Sequence, residues 1–257
     1  MNCFEEFIKY NGITFKHAKG KSVMPGKEFH LFNEIIYFID GKAEIITEKI
    51  HKKIAPKTLI VIPKETYHQL NIIGDAENYY RCLLNFDDSA LQSSLKEISL
   101  FPADFEIDYL FNKLISNIKN PNRDQLLNSV LVLLLDKITN EKTYDTADNT
   151  LDPILENCIH YIDENIGNDL SIEKLSKIVG TSRSSLSHLF KSELNTPLHR
   201  YILKKRLIVA HQKLSTGESA TNVSLECGFN DYSGFYKQYK NMFGFSPSKS
   251  KKGAQSN

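Results

Sequence analysis

The feature that most constrains this chain is an internal repeat between residues 170 and 247 of its 257 residues. The first copy is LSIEKLSKIVGTSRSSLSHLFKSELNTP, and the second is ATNVSLECGFNDYSGFYKQYKNMFGFSP. Gly180 aligns with Gly228 at an offset of 48, whereas Phe190 aligns with Tyr239 at an offset of 49. The second copy therefore has one extra residue in its turn. Apolar residues at helical spacing on both sides of each glycine predict two helix-turn-helix units in one polypeptide.

The first unit is predicted over residues 171–194. Gly180 tolerates positive φ and allows a sharp turn, after which Thr181 or Ser182 is expected to cap the second helix. The outer face of that helix carries short polar groups and basic residues, which suit base edges and phosphates in a major groove. We expect Arg183 to bind guanine in a bidentate manner and Lys191 to bind a phosphate. The predicted DNA contacts of this unit are Ser182, Arg183, Ser184, Ser187, His188 and Lys191.

The second unit is predicted over residues 220–243 and repeats this pattern. We expect Tyr236 to contact a thymine methyl group or a phosphate, and Lys237 and Lys240 to bind phosphates. The predicted DNA contacts are Tyr232, Ser233, Tyr236, Lys237 and Lys240. An alternative is a helical bundle whose outward polar residues are merely solvated, but two matched units with a spacer argue against it.

The segment between the units predicts one continuous helix of 18 residues over 197–214, with Pro197 in its first turn. At 1.5 Å per residue this helix is ~27 Å long. It can therefore separate two recognition helices by about one turn of DNA, ~34 Å. Four basic residues add positive charge to it: Arg200, Lys204, Lys205 and Arg206. Residues 151–257 carry 14 Lys+Arg and 10 Asp+Glu, a net +4, against −3 for residues 1–150, which modestly supports a polyanionic partner.

These residues resemble the AraC family of transcription regulators. The segments LSIEKLSKIVGTSRSSLSHLFK, KRLIVAHQKL and CGFNDYSGFYKQYKNMFGFSP match its DNA-binding module over roughly 100 residues. The resemblance implies a regulator, not an enzyme, that binds double-stranded promoter DNA, more often as an activator, with RNA polymerase as a partner in that case. Ser176 and Ser224 stand where the family favours alanine, and Tyr236 stands where a long basic residue is frequent.

The N-terminal half predicts strands followed by helices. β-rich runs occupy residues 27–86, and Asp40-Gly41 predicts a hairpin between EIIYFID and KAEIITE, in a sandwich or small barrel. Residues 104–139 then predict two helices broken at Asn120-Pro121. The second helix is apolar on more than one face, so we expect it to pack on the barrel and to support homodimerisation. A helix buried wholly within its own domain is the alternative.

The segments HLFNEIIYFIDG and PKETYHQLN resemble the two cupin motifs, with His30, Glu34 and His68 at their spacing. This resemblance implies an all-β cupin-like barrel that acts as a sensor. Glu28 replaces the first histidine of the motif and Glu65 replaces a glycine, and the sensors of AraC-type regulators usually lack a catalytic metal. We therefore expect no metal and no cofactor, and a pocket for an unknown small-molecule effector instead. Its candidate residues are His30, Glu34, Tyr37, His68, Tyr80 and Arg81.

The sequence thus predicts two domains. The first, residues 1–139, is the cupin-like effector-binding and dimerisation domain. It is followed by a linker at 140–150, an all-α tandem helix-turn-helix domain at 151–250 and a disordered tail at 251–257. Four dispersed cysteines, no signal peptide and no transmembrane stretch favour a reduced, cytoplasmic protein. A cupin metalloenzyme fused to a DNA-binding module and a ligand-independent regulator are the alternative functions.

Overall fold

The computed structural model describes residues 4–20, 29–74, 78–88, 95, 98–140 and 151–252. The chain divides into two compact units, Met1–Thr150 and Leu151–Asn257. The first unit contains strands followed by two helices, and the second is helical. Glu28, the predicted linker beyond Asn140 and the tail beyond Lys252 lie outside the described residues.

The strands of the first unit form two antiparallel sheets. The larger sheet has the order β1-β2-β8-β3-β6-β9, and the smaller has the order β5-β4-β7. The strand bounds are β1 Phe4–Tyr10, β2 Ile13–Lys19, β3 Asn33–Asp40, β4 Ala43–Thr47, β5 His51–Ile54, β6 Thr58–Ile62, β7 His68–Ile72, β8 Tyr80–Phe86 and β9 Ser99–Pro102. Among the described residues no strand pairing joins the two sheets, so a closed barrel is not observed.

The predicted hairpin at Asp40-Gly41 is wrong. β3 pairs with β6 and β8 in the large sheet, whereas β4 pairs with β5 and β7 in the small one. Both hydrogen-bonding edges of β3 are thus occupied by other strands. Gly41, at φ 114°, carries the chain from one sheet to the other instead of folding it back.

The large sheet has a core on each face, which explains the nearly continuous apolar sequence of β3. Ile35 and Tyr37 pack into a core with the two helices of this unit, α1 Phe105–Ser116 and α2 Arg123–Asn140. Ile36 and Phe38, with side chains on the other face, pack against Ile45 of the small sheet. The unit therefore consists of three layers, with the large sheet in the middle.

The two helices flank the predicted break at Asn120-Pro121. α2 buries one face, which includes Leu127, Leu131 and Leu134, against the large sheet and α1. Its other face leaves Val132 58% and Leu133 50% exposed. α2 is therefore not wholly buried within its own unit.

The second unit is built from six α-helices and a final 3-10 helix among its described residues. Their bounds are α3 Pro153–Glu164, α4 Ile172–Ile178, α5 Arg183–Glu193, α6 Leu198–Ser215, α7 Ala220–Glu226, α8 Tyr232–Phe243 and the 3-10 helix Pro247–Lys252. α6 begins at Leu198, and Pro197 is its N-cap, with ψ 141°, and not a residue of its first turn. No helix of the described residues is long and apolar enough to cross a membrane.

Candidate DNA-binding site and sensor interior

The two helix-turn-helix units have the same turn. In the first, the backbone N–H of Thr181 donates to the Ser176 carbonyl (2.9 Å) and that of Gly180 donates to the Lys177 carbonyl (3.4 Å). These two bonds form a Schellman motif around Gly180, which has φ 69°. The same two bonds recur 48 residues later around Gly228, at 3.0 and 2.9 Å, with φ 77°.

Side-chain caps start both second helices. Ser182 Oγ accepts from the Ser185 N–H (3.0 Å) at the start of α5. Asp231 Oδ1 accepts from the Gly234 N–H (2.6 Å) at the start of α8. α4 and α5 are separated by 179–182 and α7 and α8 by 227–231, which confirms the extra residue in the second turn. Each cap satisfies an N–H that the helix itself leaves unpaired.

The two serines that stand where alanine is usual are buried, and each has its hydroxyl satisfied locally. Ser176 Oγ donates to the Glu173 carbonyl (3.2 Å), and Ser224 Oγ donates to the Thr221 carbonyl (2.8 Å). The hydroxyl therefore needs no partner from another helix, and the position accepts serine at little cost.

α5 and α8 each bury one side and expose the other. Leu186 and Phe190 of α5, and Phe235 and Tyr239 of α8, are fully buried. The opposite faces carry every DNA contact that the sequence predicts, and all of these residues are exposed: Ser182, Arg183, Ser184, Ser187, His188, Lys191, Tyr232, Ser233, Tyr236, Lys237 and Lys240. Both helices can thus present polar and basic groups to a duplex without exposing the core.

Arg183 has an intramolecular partner that the sequence analysis did not anticipate. Its Nη1 lies 2.8 Å from Glu173 Oε1 of α4, with both side chains more than half exposed. The Arg183 hydrogen bond lowers the pKa of the Glu173 carboxyl, so this carboxylate is ionised near neutral pH. Arg183 must exchange this ion pair for any contact with a base.

Arg206 and Lys205 of α6 are used inside the unit. The Arg206 guanidinium donates to three backbone carbonyls, those of Ile166 (3.1 Å), Asn168 (2.8 Å) and Gly228 (2.8 Å). Lys205 Nζ lies 2.7 Å from Asp163 Oδ1 of α3. Arg206 thus joins the segment before α4 to the turn of the second unit and positions the units instead of facing outward.

The interior between the two sheets of the first unit contains an unusual polar cluster of His30, Glu34 and His68, all buried. Glu34 Oε2 lies 3.5 Å from His30 Nε2 and 3.7 Å from His68 Nε2. Burial raises the pKa of the Glu34 carboxyl, but the two imidazoles in their protonated, positively charged form outweigh burial, so the net pKa lies below its ordinary value. The carboxyl is therefore ionised within an apolar interior.

The other three residues of the predicted pocket do not all join this cluster. Tyr37 packs in the core on the helix side of the large sheet and donates to Asp108. Tyr80 lies on that same side, where its hydroxyl is 2.6 Å from His17 Nε2. Because neighbouring residues of a strand point to opposite faces, Tyr37 and Tyr80 cannot line one pocket with Glu34. Arg81 does face the interior, and its Nη1 donates to the Tyr79 hydroxyl (3.3 Å).

Polar contacts between the loops that precede β3 and β7 support the cluster. The Glu65 N–H donates to the His30 carbonyl (2.8 Å), and the Lys64 N–H donates to Asn33 Oδ1 (3.0 Å). Asn33 Nδ2 in turn donates to Asp88 Oδ1 (2.9 Å). Asn33, Lys64 and Asp88 cannot be recognised from the sequence, because their spacing carries no motif.

Comparison with known proteins agrees with this geometry. A helix-turn-helix domain model matches residues 175–253. The chain is 24% identical over 230 residues to the Probable transcriptional regulator LumQ of Photobacterium leiognathi, covering 86% of this chain and 89% of that protein. It is 25% identical over 282 positions to the Msm operon regulatory protein of Streptococcus mutans, covering 100% and 99%.

Among solved structures, a transcriptional regulator from Chromobacterium violaceum with an AraC-type DNA-binding domain is 34% identical, covers 41% of this chain and 96% of its own, and has a TM-score of 0.39. The domain model and the two relatives that match most of the chain, both of them regulators and not enzymes, support the same family. This chain belongs to the AraC family of transcription regulators, and its helical C-terminal unit carries the helix-turn-helix DNA-binding domain.

Proposed function

We propose that α5 and α8 enter successive major grooves of promoter DNA, and that the N-terminal unit is a cupin-like sensor whose ligand controls this binding. The observation that carries the proposal is the repeated turn: two Schellman motifs, around Gly180 and Gly228, each followed by a capped helix with an exposed polar and basic face. One such unit is common in helical proteins, but two in register on either side of a helix ~27 Å long are able to reach major grooves about one turn of B-DNA, ~34 Å, apart.

Arg183 is the proposed base-reading residue of the first unit, and Lys191 the proposed phosphate contact. The Arg183–Glu173 pair is exposed and screened by solvent, whereas a bidentate contact with guanine contributes about 1–3 kcal/mol. Exchange of Glu173 for guanine is thus favourable. In the free protein the pair keeps the guanidinium extended at the start of α5.

The second unit is proposed to bind mainly through phosphates. Lys237 and Lys240 provide charge, and Ser233 a hydroxyl, on the exposed face of α8. Tyr232 and Tyr236 are 40% and 38% exposed, with ring centroids 6.4 Å apart. They form an aromatic surface suited to thymine methyl groups and sugars.

The N-terminal unit is proposed to bind an effector and to form a homodimer. The polar cluster between the sheets supports ligand binding, because buried polar groups need partners in an otherwise apolar core. The exposed Val132 and Leu133 on α2 support a second chain as the partner of this face. Effector binding would shift the population toward a dimer whose DNA-binding units fit adjacent sites. As activation is the commoner mode in the family, we propose an activator that contacts RNA polymerase.

Footprinting on DNA upstream of the protein's own gene, at fixed salt, tests the proposal. We expect protection of adjacent major-groove turns on one face of the duplex. Arg183→Ala should cost about 1–3 kcal/mol and relax specificity at one position, whereas Lys191→Ala should weaken binding uniformly and reduce the salt slope by about 1. Lys213→Ala removes the same charge from α6, where Lys213 pairs with Glu226, and is the control. Equal effects of the three substitutions would refute the placement of α5.

A further inference from the structure

We propose that His30, Glu34 and His68 bind a divalent first-row transition-metal ion between the two sheets of the N-terminal unit. The inference rests on the proposed function in one respect, namely that the metal is the ligand of the sensor. The proposal differs from the expectation from the sequence, in which no metal was expected because Glu28 replaces the first histidine of the cupin motif. The arrangement of the three side chains carries it.

The two histidines carry their ring hydrogens on Nδ1. His30 Nδ1 lies 2.7 Å from the Phe32 carbonyl oxygen, and His68 Nδ1 lies 3.0 Å from the Thr66 carbonyl oxygen. A carbonyl oxygen only accepts, so each Nδ1 carries the hydrogen. In the neutral tautomer each Nε2 then has a free lone pair. Donation from Nδ1 to a backbone carbonyl is the usual support of a metal-binding histidine.

The ring nitrogens of the two histidines converge on the Glu34 carboxylate. One ring nitrogen of each histidine and a carboxylate oxygen of Glu34 lie within 4.8 Å of one another, and the three residues are buried. His30 Nε2 is buried without a hydrogen-bond partner. Three acceptors that converge in a core repel one another unless a cation lies between them.

The distances favour a metal ion over a bound proton. A charge-assisted N–H···O bond is about 2.7–2.9 Å long. The observed Nε2–Oε2 distances are 3.5 and 3.7 Å, too long for such bonds. A metal at about 2.0–2.2 Å from each of three ligands in a tetrahedral arrangement separates the ligand atoms by about 3.3–3.5 Å. The two nitrogen–oxygen separations therefore already suit a metal ion, and the two imidazole nitrogens, which lie within 4.8 Å of each other, approach one another when it binds.

The ligand types and the framework narrow the class of ion. Two imidazoles and one carboxylate suit Zn²⁺, Fe²⁺ and related ions, whereas Ca²⁺ and Mg²⁺ prefer all-oxygen sites. The His30 ring is stacked on Phe32 at a centroid distance of 4.1 Å, which fixes its orientation. The backbone bond from Glu65 to His30 holds the loops of both histidines together. Three protein ligands leave a coordination position open for water or a small anion.

The test is a titration of the full chain, purified without an affinity tag and treated with EDTA, with Co²⁺ and then Zn²⁺. We expect about one Co²⁺ per chain with the visible absorption of a tetrahedral site, displaced by Zn²⁺. Glu34→Gln and His68→Asn should each weaken Co²⁺ binding more than tenfold. His51→Asn is the matched control, because His51 Nε2 pairs with Glu44 Oε2 at 3.1 Å in the same unit, and His51 belongs to no group of three potential metal ligands among the described residues.

The visible spectrum of Co²⁺ with the wild-type chain tests metal binding even if a variant fails to fold. No stoichiometric Co²⁺ or Zn²⁺ binding by folded wild type, or unchanged binding by folded Glu34→Gln, would overturn the proposal. DNA binding is measured separately, with Zn²⁺ and with EDTA, and we expect its affinity to change by about 5- to 150-fold in wild type and not in Glu34→Gln. An unchanged DNA affinity with metal bound would overturn the sensor role alone. Loss of specific DNA binding under every condition would refute the proposed function while the metal titration stands.

Discussion

Arg206 offers the sharpest test of how the two helix-turn-helix units are held together. Its guanidinium donates to the carbonyls of Ile166, Asn168 and Gly228, and so connects the segment before α4 to the second turn. Glycine at position 228 leaves room for this contact, because a Cβ there would lie only 2.7 Å from Nη2 of Arg206. Replacing Arg206 by Ala removes all three bonds at once.

The magnitude follows from the exposure of each bond. A hydrogen bond with a charged donor contributes roughly 1.5–3 kcal/mol. The bond to Asn168 is exposed, so water replaces it, while the bonds to Ile166 and Gly228 are partly buried. Two bonds at the lower value give a loss of about 3 kcal/mol for Arg206→Ala. That is a large fraction of the ~5–15 kcal/mol of a typical domain.

Hydrogen exchange of peptides from α4, α5, α7 and α8 in the full chain reports the unfolding free energy of this unit. Arg206→Ala should lower it by about 3 kcal/mol and also weaken specific DNA binding, because the spacing of α5 and α8 is no longer fixed. Arg200→Ala is the control, since Arg200 is exposed on the same helix. Arg206→Lys should recover only part of the loss, because an ammonium cannot reach three carbonyls in one plane. A loss below about 0.5 kcal/mol for Arg206→Ala would refute the reasoning.

Further predictions concern the turns and the thiols. Gly180→Ala should lower the free energy of unfolding by about 1–2 kcal/mol, because the φ of 69° at this position lies in the left-handed region. The loss stays small because no atom lies within 4 Å of an added Cβ. Gly228→Ala should cost more, because the added Cβ also meets the guanidinium; equal losses would contradict this. Ser182→Ala should lower stability by about 1 kcal/mol, measured by urea unfolding, through loss of the α5 cap. Burial raises the pKa of Cys158 to about 12 and that of Cys227 to about 11. Both thiols should therefore resist alkylation by iodoacetamide at pH 8 until the protein unfolds. Labelling is followed by mass spectrometry, and rapid labelling of the native protein would count against the burial of these thiols.

The DNA-binding unit could be predicted almost completely from the sequence, because its signals are local. A glycine at a left-handed turn, a capping serine or aspartate, and apolar residues at helical spacing each act within a few residues, and the repeat doubled the evidence. The contacts of Arg183 and Arg206 were missed, since their partners lie 10 or more residues away and obey no spacing rule.

The N-terminal unit shows the opposite balance. Strand positions were predicted from apolar runs, but pairing was not, and the expected hairpin at Asp40-Gly41 joins two different sheets. Sheet pairing depends on long-range contacts that a local turn signal does not encode. Successive side chains of β3 and β8 point to opposite faces of the large sheet. Tyr37 and Tyr80 therefore lie on the face opposite to Glu34, although the predicted pocket contains all three residues.

The tandem units and the proposed DNA contacts can be predicted from the sequence alone, because they depend on short-range helical periodicity, and the family followed from the resemblance of three segments to its DNA-binding module. The tertiary structure alone decided which polar side chains meet: Glu173 with Arg183, three carbonyls with Arg206, and two imidazoles with Glu34. The physical reason is that a hydrogen bond or a metal site requires atoms within a few ångströms, and only packing of distant segments brings such atoms together.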